Sequence, residues 1–332
     1  MVTVSDIAKI AGVSATTVSR AFNPESVIKP ETRAQIIKIA NDLNYIPNFN
    51  ARSLVTRKSY IIGVFFTSMY QGTSSIYLGD IISQLYQELP KNYLLSVNSI
   101  DRLTEMGNGI ERRFDGILIV SQSSVDNELI YRIKMADIPL VVINRYIEDP
   151  EIVNVMSDEA PSINEAVKLA VADQHRNFGI INGIESFNSS VQRRDAFLKA
   201  LAQFSTDIQH TIEVTGDYTI QSGYASMRQI LEMPKSTRPS FVFCANDDMA
   251  IGAINACNEA QITVPDEMAI MGYDDVPYAS VITPGLTTVH NPYKEMSTQG
   301  IQLLLQLING KTVQPKKYSS QAQLVIRKST AK

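Results

Sequence analysis

The 332-residue sequence predicts two architectures in one chain: an all-α helix-turn-helix head over residues 1–46, and an α/β body of two doubly wound parallel-sheet subdomains over residues 59–332. Three observations predict this. Helical apolar spacing runs through three short segments that end near Leu43. Beyond Lys58, short Ile/Val/Leu runs alternate with amphipathic stretches, the pattern of parallel strands joined by crossover helices. The charge also divides. Lys9, Arg20, Lys29, Arg33, Lys38, Arg52, Arg57 and Lys58 outnumber Asp6, Glu25, Glu31 and Asp42 by four, so the remaining residues carry −8 to give the chain its net −4. A basic head on an acidic body is the asymmetry expected when only the head meets phosphates.

In the head, Val4, Ile7, Ala8 and Ala11 fall on one helical face. Ser5 is the predicted cap, with Asp6 at the positive end of the helix. Gly12 can end it in a left-handed turn. Ser14 is placed to cap a second helix with Val18 inward and Arg20 outward. Pro30 suits the first position of a third, whose predicted inward stripe is Ala34, Ile37, Ala40 and Leu43, with Ile36 and Ile39 at its margin. Two helices around a three-residue Gly-containing turn match a helix-turn-helix, in which the second helix enters the DNA major groove. Its exposed start, Ala15, Thr16 and Thr17, is short enough for close approach, and Arg20 lies one turn further on. A three-helix bundle of any other use fits the same spacing.

In the body, apolar runs occur at Tyr60–Phe66, Tyr93–Val97, Gly116–Val120, Leu140–Asn144, Phe178–Asn182, Phe241–Cys244 and Met268–Gly272, with amphipathic stretches such as Ile76–Leu89 and Ile163–Ala172 between them. Both faces of such strands are covered, hence runs rather than alternation. Doubly wound sheets bind ligands at the carboxyl ends of their strands, and two of them place the site in the cleft between. The polar residues after each run are therefore the candidates: Ser68, Ser121, Asn144, Arg145, Ser190, Arg193, Tyr218, Asn246, Asp274 and Asn291. Planar amides, carboxylates, arginines and an aromatic are what a sugar requires, since charged partners make the stronger hydrogen bonds. Asp247 and Asp275 are either ligand contacts or cap and turn residues. Tyr273 and Phe243 lie within apolar runs and are expected in the core. Arg194 is expected in solvent, and His175, His210 and His290 show no metal-ligand spacing.

The string Val4-Ser5-Asp6-Ile7-Ala8-Lys9-Ile10-Ala11-Gly12-Val13-Ser14-Ala15-Thr16-Thr17-Val18-Ser19-Arg20 resembles the N-terminal signature of the LacI/GalR family of bacterial repressors. The resemblance continues through Leu43-Asn44-Tyr45-Ile46-Pro47-Asn48 and Asn50-Ala51-Arg52-Ser53-Leu54, and then across the chain. It implies DNA contacts from Thr3, Ser5, Ser14, Ala15, Thr16, Thr17, Ser19, Arg20, Asn23, Tyr45, Asn48, Asn50, Arg52, Ser53 and Leu54. Residues 47–58 become a hinge that turns helical on DNA, with Leu54 as a minor-groove wedge. The body becomes periplasmic-binding-protein-like, with an N-subdomain of about 59–158 and 290–318 and a C-subdomain of about 159–289 and 319–332. Cys244-Ala245-Asn246-Asp247 is similar to the family segment whose Asn contacts ligand, and Gly272-Tyr273-Asp274-Asp275 to the one whose first Asp does so. Arg193 sits at the family's ligand arginine, four residues before the aromatic Phe197, and Tyr218 at its stacking aromatic. Val142-Ile143-Asn144-Arg145 resembles members that respond to galactose-type sugars. Two departures stand out: Ala196 replaces the usual Gly before Phe197, and Asn98–Phe114 is shorter than the usual connection.

The resulting expectation is a cytoplasmic homodimer that binds near-palindromic operator DNA and is controlled by a small effector, a sugar first, with a sugar phosphate or a purine as alternatives. Arg145 and Arg193 could hold a phosphate dianion, and Tyr218 could stack on a base. A sugar-binding module without a regulatory role would carry a secretory signal, and Met1–Arg20 has no apolar h-region. Enzyme chemistry has no Walker A, GxGxxG, GxSxG or HExxH to rest on. No cofactor is expected. Cys244 and Cys257 are the only cysteines, which gives neither a zinc motif nor a disulfide framework and fits a reducing compartment. No run of about 18 apolar residues predicts a membrane span. No heptad tail follows the last strand-like run, Leu324–Arg327, so a dimer is expected rather than a tail-mediated tetramer.

Overall fold

The computed structural model describes residues 2–22, 26–45, 58–70, 72–102, 109 and 113–331. They divide into two compact units, Met1–Tyr60 and Ile61–Lys332. Residues 47–57 of the expected hinge, Ile46 and Asn23 lie outside the described residues, as does most of the short connection after Ser99.

The first unit holds helices α1 (Val4–Ala11), α2 (Ala15–Ala21) and α3 (Pro30–Asp42). Gly12 takes the left-handed conformation at φ 66° and ends α1. Ser14 Oγ accepts from Thr17 N at 3.1 Å and caps α2, and Pro30 opens α3. Two expectations are corrected. The cap of α1 is Thr3, not Ser5: Thr3 Oγ1 accepts from Asp6 N at 3.3 Å while Asp6 Oδ2 accepts from Thr3 N at 2.9 Å, a reciprocal capping box. Only a residue three before Asp6 can close that ring. The inward face of α3 is also turned by about one residue. Ile36 and Ala40 are buried, Ile39 and Leu43 pack beside them, and Ala34 and Ile37 are exposed. Adjacent Ile36 and Ile37 left the phase open, and packing against Ile7 and Val18 set it.

The second unit contains two parallel sheets. The first has the order β11-β5-β4-β3-β1-β2, from β1 (Ile61–Phe66), β2 (Leu94–Ser99), β3 (Gly116–Val120), β4 (Leu140–Ile143), β5 (Val153–Asp158) and β11 (Lys317–Gln321). The second has the order β7-β6-β8-β9, from β6 (Asn177–Asn182), β7 (His210–Thr215), β8 (Phe241–Cys244) and β9 (Ala269–Met271). Strands β10 (Thr288–His290) and β12 (Gln323–Val325) pair antiparallel. The crossover helices of the first sheet are α4 (Ser75–Glu88), α5 (Asn127–Met135) and α10 (Tyr293–Ile308), and those of the second are α6 (Ala160–Ala172), α7 (Asn188–Ala202), α8 (Ile220–Leu231) and α9 (Asp247–Glu259). The chain passes between the subdomains three times, after β5, after β10 and after β11.

Central strands β3, β4 and β8 are buried at every residue, which is why they read as unbroken apolar runs. Edge strands β7 and β11, half exposed, are polar and gave no such signal. One core lies between the second sheet and α6–α7, around Phe178, Phe197 and Phe243; another lies on its opposite side around Met227, Met249 and Ile254. Among the described residues no helix is long and apolar enough to cross a membrane.

The corrected face of α3 has a direct check. Ile36→Ala, at a site with no exposure, is expected to destabilise the head by about 2–5 kcal/mol. Ile37→Ala is expected to stay within about 0.5 kcal/mol. Thermal melting of the two full-length variants, followed by amide exchange in residues 4–42, separates these outcomes.

Candidate functional site

Each sheet reverses its strand order once, between β1 and β3 in the first and between β6 and β8 in the second. Loops leaving neighbouring strands part there and open a crevice. The two crevices share one cavity. Thr73, Ser74, Tyr77, Gln122 and Asn144 line it from the first subdomain, and Ser189, Arg193, Tyr218, Asn246 and Asp274 from the second, with Gly72 at the rim.

Arg193, on the inner face of α7, is buried. Its Nη1 donates to Ala245 O at 2.6 Å, its Nη2 stands 3.7 Å from Asp274 Oδ1, and its guanidinium carbon lies 3.5 Å from the centroid of the Tyr273 ring. Burial opposes its charge, but the neighbouring Tyr273 and Asp274 outweigh that effect and hold its pKa above the usual range. Burial lifts the carboxyl of Asp274 to about 6, against the pull of Arg193 and of the Asn291 amide, which donates to Asp274 Oδ1 at 3.2 Å. The site thus offers a fixed cation beside an acceptor that is ionised at neutral pH.

The backbone of three lining residues is left-handed: Asn144 at φ 77°, Tyr218 at φ 71° and Asp274 at φ 115°. Such conformations persist in non-glycine residues only where the surroundings hold them. Asn144 N donates to Val155 O at 2.9 Å and its Nδ2 to Ser121 O at 3.1 Å. Asp274 N donates to Val289 O at 2.9 Å. Tyr218 O accepts from Asn246 Nδ2 at 3.0 Å, while Asn246 Oδ1 accepts from Met249 N at 2.9 Å and caps α9. The Tyr218 ring lies on Gly183, where a Cβ would stand 2.1 Å from its Cζ, and stacks on Phe187 with centroids 6.1 Å apart and planes 28° apart. Its hydroxyl lies 3.2 Å from Ser189 Oγ.

Of the ten residues predicted to meet a ligand, Asn144, Arg193, Tyr218, Asn246 and Asp274 line the cavity. The other five stand behind it. Ser121 Oγ donates to buried Asp126 at 2.6 Å and accepts from Arg145 Nε at 2.8 Å, while Arg145 Nη2 donates to Asn127 at 2.6 Å, so this arginine holds the wall rather than the cavity. Ser68 Oγ accepts from Tyr70 N, Ser190 is buried against Tyr218, and Asn291 supports Asp274. Thr73, Ser74 and Tyr77 were missed because they lie seven or more residues beyond the end of β1, in the approach to and first turn of α4, and Gln122 because Ser121 stands before it as the first polar residue after β3. Asp247 is wholly buried: its Oδ2 accepts from Val276 N at 2.9 Å and its Oδ1 from Thr288 Oγ1 at 2.6 Å, and burial pushes its pKa well up. Asp275 pairs with Arg327 at 2.7 Å and with His290 at 3.2 Å. Both therefore act within the fold. Tyr273 and Phe243 are core, Arg194 pairs with Glu213, and His175 bonds Ser240.

On the head, Ala15, Thr16, Ser19 and Arg20 are exposed along α2, and Thr17 is half-buried. Ser5 is exposed in the first turn of α1. The hydroxyls of Thr3 and Ser14 serve as caps, and the Tyr45 ring packs on Phe22 with centroids 5.7 Å apart. Asn48, Asn50, Arg52, Ser53 and Leu54 lie outside the described residues.

Comparison with known proteins accounts for both units. Residues 3–48 match the family described as bacterial regulatory proteins, lacI family, and residues 167–330 match a periplasmic binding protein-like domain. The chain is 43% identical over 329 residues to a probable HTH-type transcriptional repressor, ExuR, of Bacillus subtilis, with 99% of this chain and 98% of that protein covered. The chain belongs to the lacI family of bacterial regulatory proteins. Within this family it is also 30% identical to the HTH-type transcriptional repressor PurR of Pasteurella multocida, over 99% of this chain and 98% of that one. Its structure is similar to the lac repressor dimer bound to operator and the anti-inducer ONPF (TM-score 0.85, 27% identity, 99% of each chain covered). It shares its fold with a CelR–cellobiose complex (TM-score 0.73, 23% identity, 99% and 100% covered).

In this lacI-family member the close seating of Tyr218 on Gly183 can be tested. Gly183→Ala is expected to displace the ring and to cost about 1–3 kcal/mol, the range for overpacking a tight contact. Denaturant melts would give the loss, and the dispersed ring resonances of Tyr218 the displacement. A variant as stable as the parent with unmoved resonances would refute the contact.

Proposed function

We propose that this lacI-family regulator represses transcription by binding near-palindromic operator DNA as a homodimer through α2, and that a neutral sugar in the cleft controls it. The observation that carries this reading is the pairing, in one cavity, of buried Arg193 with Asp274, surrounded by the amides of Asn144, Gln122 and Asn246. Adjacent sugar hydroxyls donate to the carboxylate and accept from the guanidinium, and an unpaired partner at either position penalises other ligands. Tyr77, an aromatic on the cavity wall, supplies an apolar surface for the C–H face of the ring. In the head, α2 presents Ala15, Thr16, Ser19 and Arg20 for major-groove contact. Leu54 is the minor-groove wedge of this reading. DNA binding places the protein in the cytoplasm, and sugars incubated with it are expected to be recovered unchanged, as a regulator and not an enzyme requires.

The PurR relatives bring a purine effector into consideration. Tyr218 does not favour it. Its ring is buried, seated closely on Gly183 and beside Phe187, so little of it is open to a base. A phosphate is opposed in the same way: Arg145 is committed to Ser121 and Asn127, and Arg193 is already balanced by Asp274.

A thermal-melt screen tests the reading. A ligand at 100 times its dissociation constant adds about 2.7 kcal/mol of stability, a shift of several degrees in a body of this size. One sugar is expected to give that shift and Asp274→Ala to abolish it. A shift with purines or phosphates alone would replace the sugar by those classes. The pH dependence is a separate check. The carboxyl of Asp274 is raised to about 6, and its ionised form is the better acceptor for ligand hydroxyls. Sugar affinity should therefore be level above about pH 7 and weaken as pH falls through about 6, approaching tenfold per unit below it. Calorimetry across this range should show the fall in the parent and not in Asp274→Asn.

A further inference from the structure

The mouth of the cleft is closed by contacts that the ligand-lining residues do not explain. Asn188 N, the first N–H of α7, donates across the cleft to Gln122 O at 2.7 Å. Next to it, Ser123 and Phe187 form an isolated antiparallel bridge between the two subdomains. The loop before α4 lies over the same place, and a Cβ on Gly72 would stand 2.6 Å from Ile184 Cδ1 and 2.7 Å from Phe187 Cε2.

Gln122 is fixed at three polar points. Its N donates to Thr67 Oγ1 at 2.7 Å, its Oε1 accepts from Thr73 at 3.0 Å, and its carbonyl takes the Asn188 proton. Thr67 Oγ1 in turn donates to Asp126 Oδ2 at 2.6 Å, the same oxygen that accepts from Ser121. A fully buried carboxylate thus anchors the strand ends of β1 and β3 and, through them, the carbonyl that meets α7. The same helix carries Ser189 and Arg193 into the cavity.

We infer that the Gln122–Asn188 bond and the Ser123–Phe187 bridge form a latch that sets the length of the cleft and selects a monosaccharide over a disaccharide. This rests on the cleft being the effector site. Gln122 lines the cavity with its side chain and carries the latch on its carbonyl, so the cavity ends where the two subdomains are bonded. A second sugar ring would have to leave through the mouth, where the latch, Phe187 and Gly72 stand. Gln122 and Phe187 are then specificity-determining residues that touch or roof the ligand, and Asp126 positions them from below.

Asn188→Pro isolates the latch. Asn188 is the first residue of its helix, where proline is tolerated because that N–H has no partner within the helix. Phe187 before it is extended at φ −93°, ψ 124°, as a residue preceding proline must be. Calorimetry would measure glucose, galactose and xylose, and lactose and cellobiose, against the parent, Asn188→Pro, Phe187→Ala and Asp274→Ala. The parent is expected to bind one monosaccharide at least about tenfold more tightly than either disaccharide. Asn188→Pro is expected to weaken that binding by up to about tenfold and to narrow the preference, with cooperative unfolding kept and the unliganded melting point lowered by only a few degrees. Phe187→Ala, which widens the mouth without touching the backbone bond, is expected to narrow the preference too, and it decides the matter if the proline variant does not fold. A parent that takes a disaccharide as tightly as any monosaccharide overturns the latch. So does an unchanged preference in both variants. In either case loss of binding in Asp274→Ala leaves the cleft reading standing. Sugar binding that survives Asp274→Ala, or that is absent from the parent, removes the cleft reading and the latch with it.

Discussion

A buried guanidinium organises the ligand-binding unit. Arg193 lies on an inward helix face among apolar side chains, where a lone charge would cost several kcal/mol. The molecule offsets this with a carbonyl, an aromatic face and a carboxylate, drawn from two connections of the second sheet: Ala245 after β8, and Tyr273 and Asp274 after β9. Holding those groups at the cation fixes where β8 and β9 end and where α7 must begin. Asp274 has a left-handed backbone, which is held by its bond to Val289 in β10. The ligand site and the crossing between subdomains are therefore built on one ion pair.

The strand ends of the first sheet follow a parallel logic with the opposite charge. Asp126 is buried and accepts hydroxyl protons from Thr67 and Ser121, while Arg145 reaches Ser121 from the far side. This layer never meets the cavity, yet it fixes the loops that do. Half of the residues expected to contact ligand belong to such supporting layers, which is how a cavity can present Asn144 and Gln122 at fixed directions without relying on their own flexible side chains.

The head obeys a simpler constraint. Three short helices enclose a core of Ile7, Val18, Ile36 and Ala40, too few residues to tolerate a polar one. The groups left on the surface of α2 are small or basic, and the acidic excess of the chain lies in the other unit. A single chain can thus carry net negative charge and still present a surface suited to phosphates.

The amino-acid sequence by itself determined the two units, the helix boundaries marked by Gly12, Ser14 and Pro30, and the central strands, because these depend on local caps and on burial on both faces. It also pointed to five cavity residues: Asn144, Asn246 and Asp274 follow strands whose ends the pattern marks, and Arg193 and Tyr218 stand at positions implied by the resemblance to the family. Tertiary structure alone decided the rest. The phase of α3 was ambiguous because Ile36 and Ile37 are equally apolar, and only packing against α1 and α2 distinguishes them. Edge strands β7 and β11 lack an apolar run because solvent covers one side. Arg145 and Arg193 are identical residues after strands or on helices, and which one reaches the cavity depends on what each finds across space: Ser121 and Asn127 for the first, Asp274 and Tyr273 for the second. Gln122 meets Asn188 only because the connection after β3 and the start of α7 come together in space, and no local pattern records a contact between residues 66 positions apart.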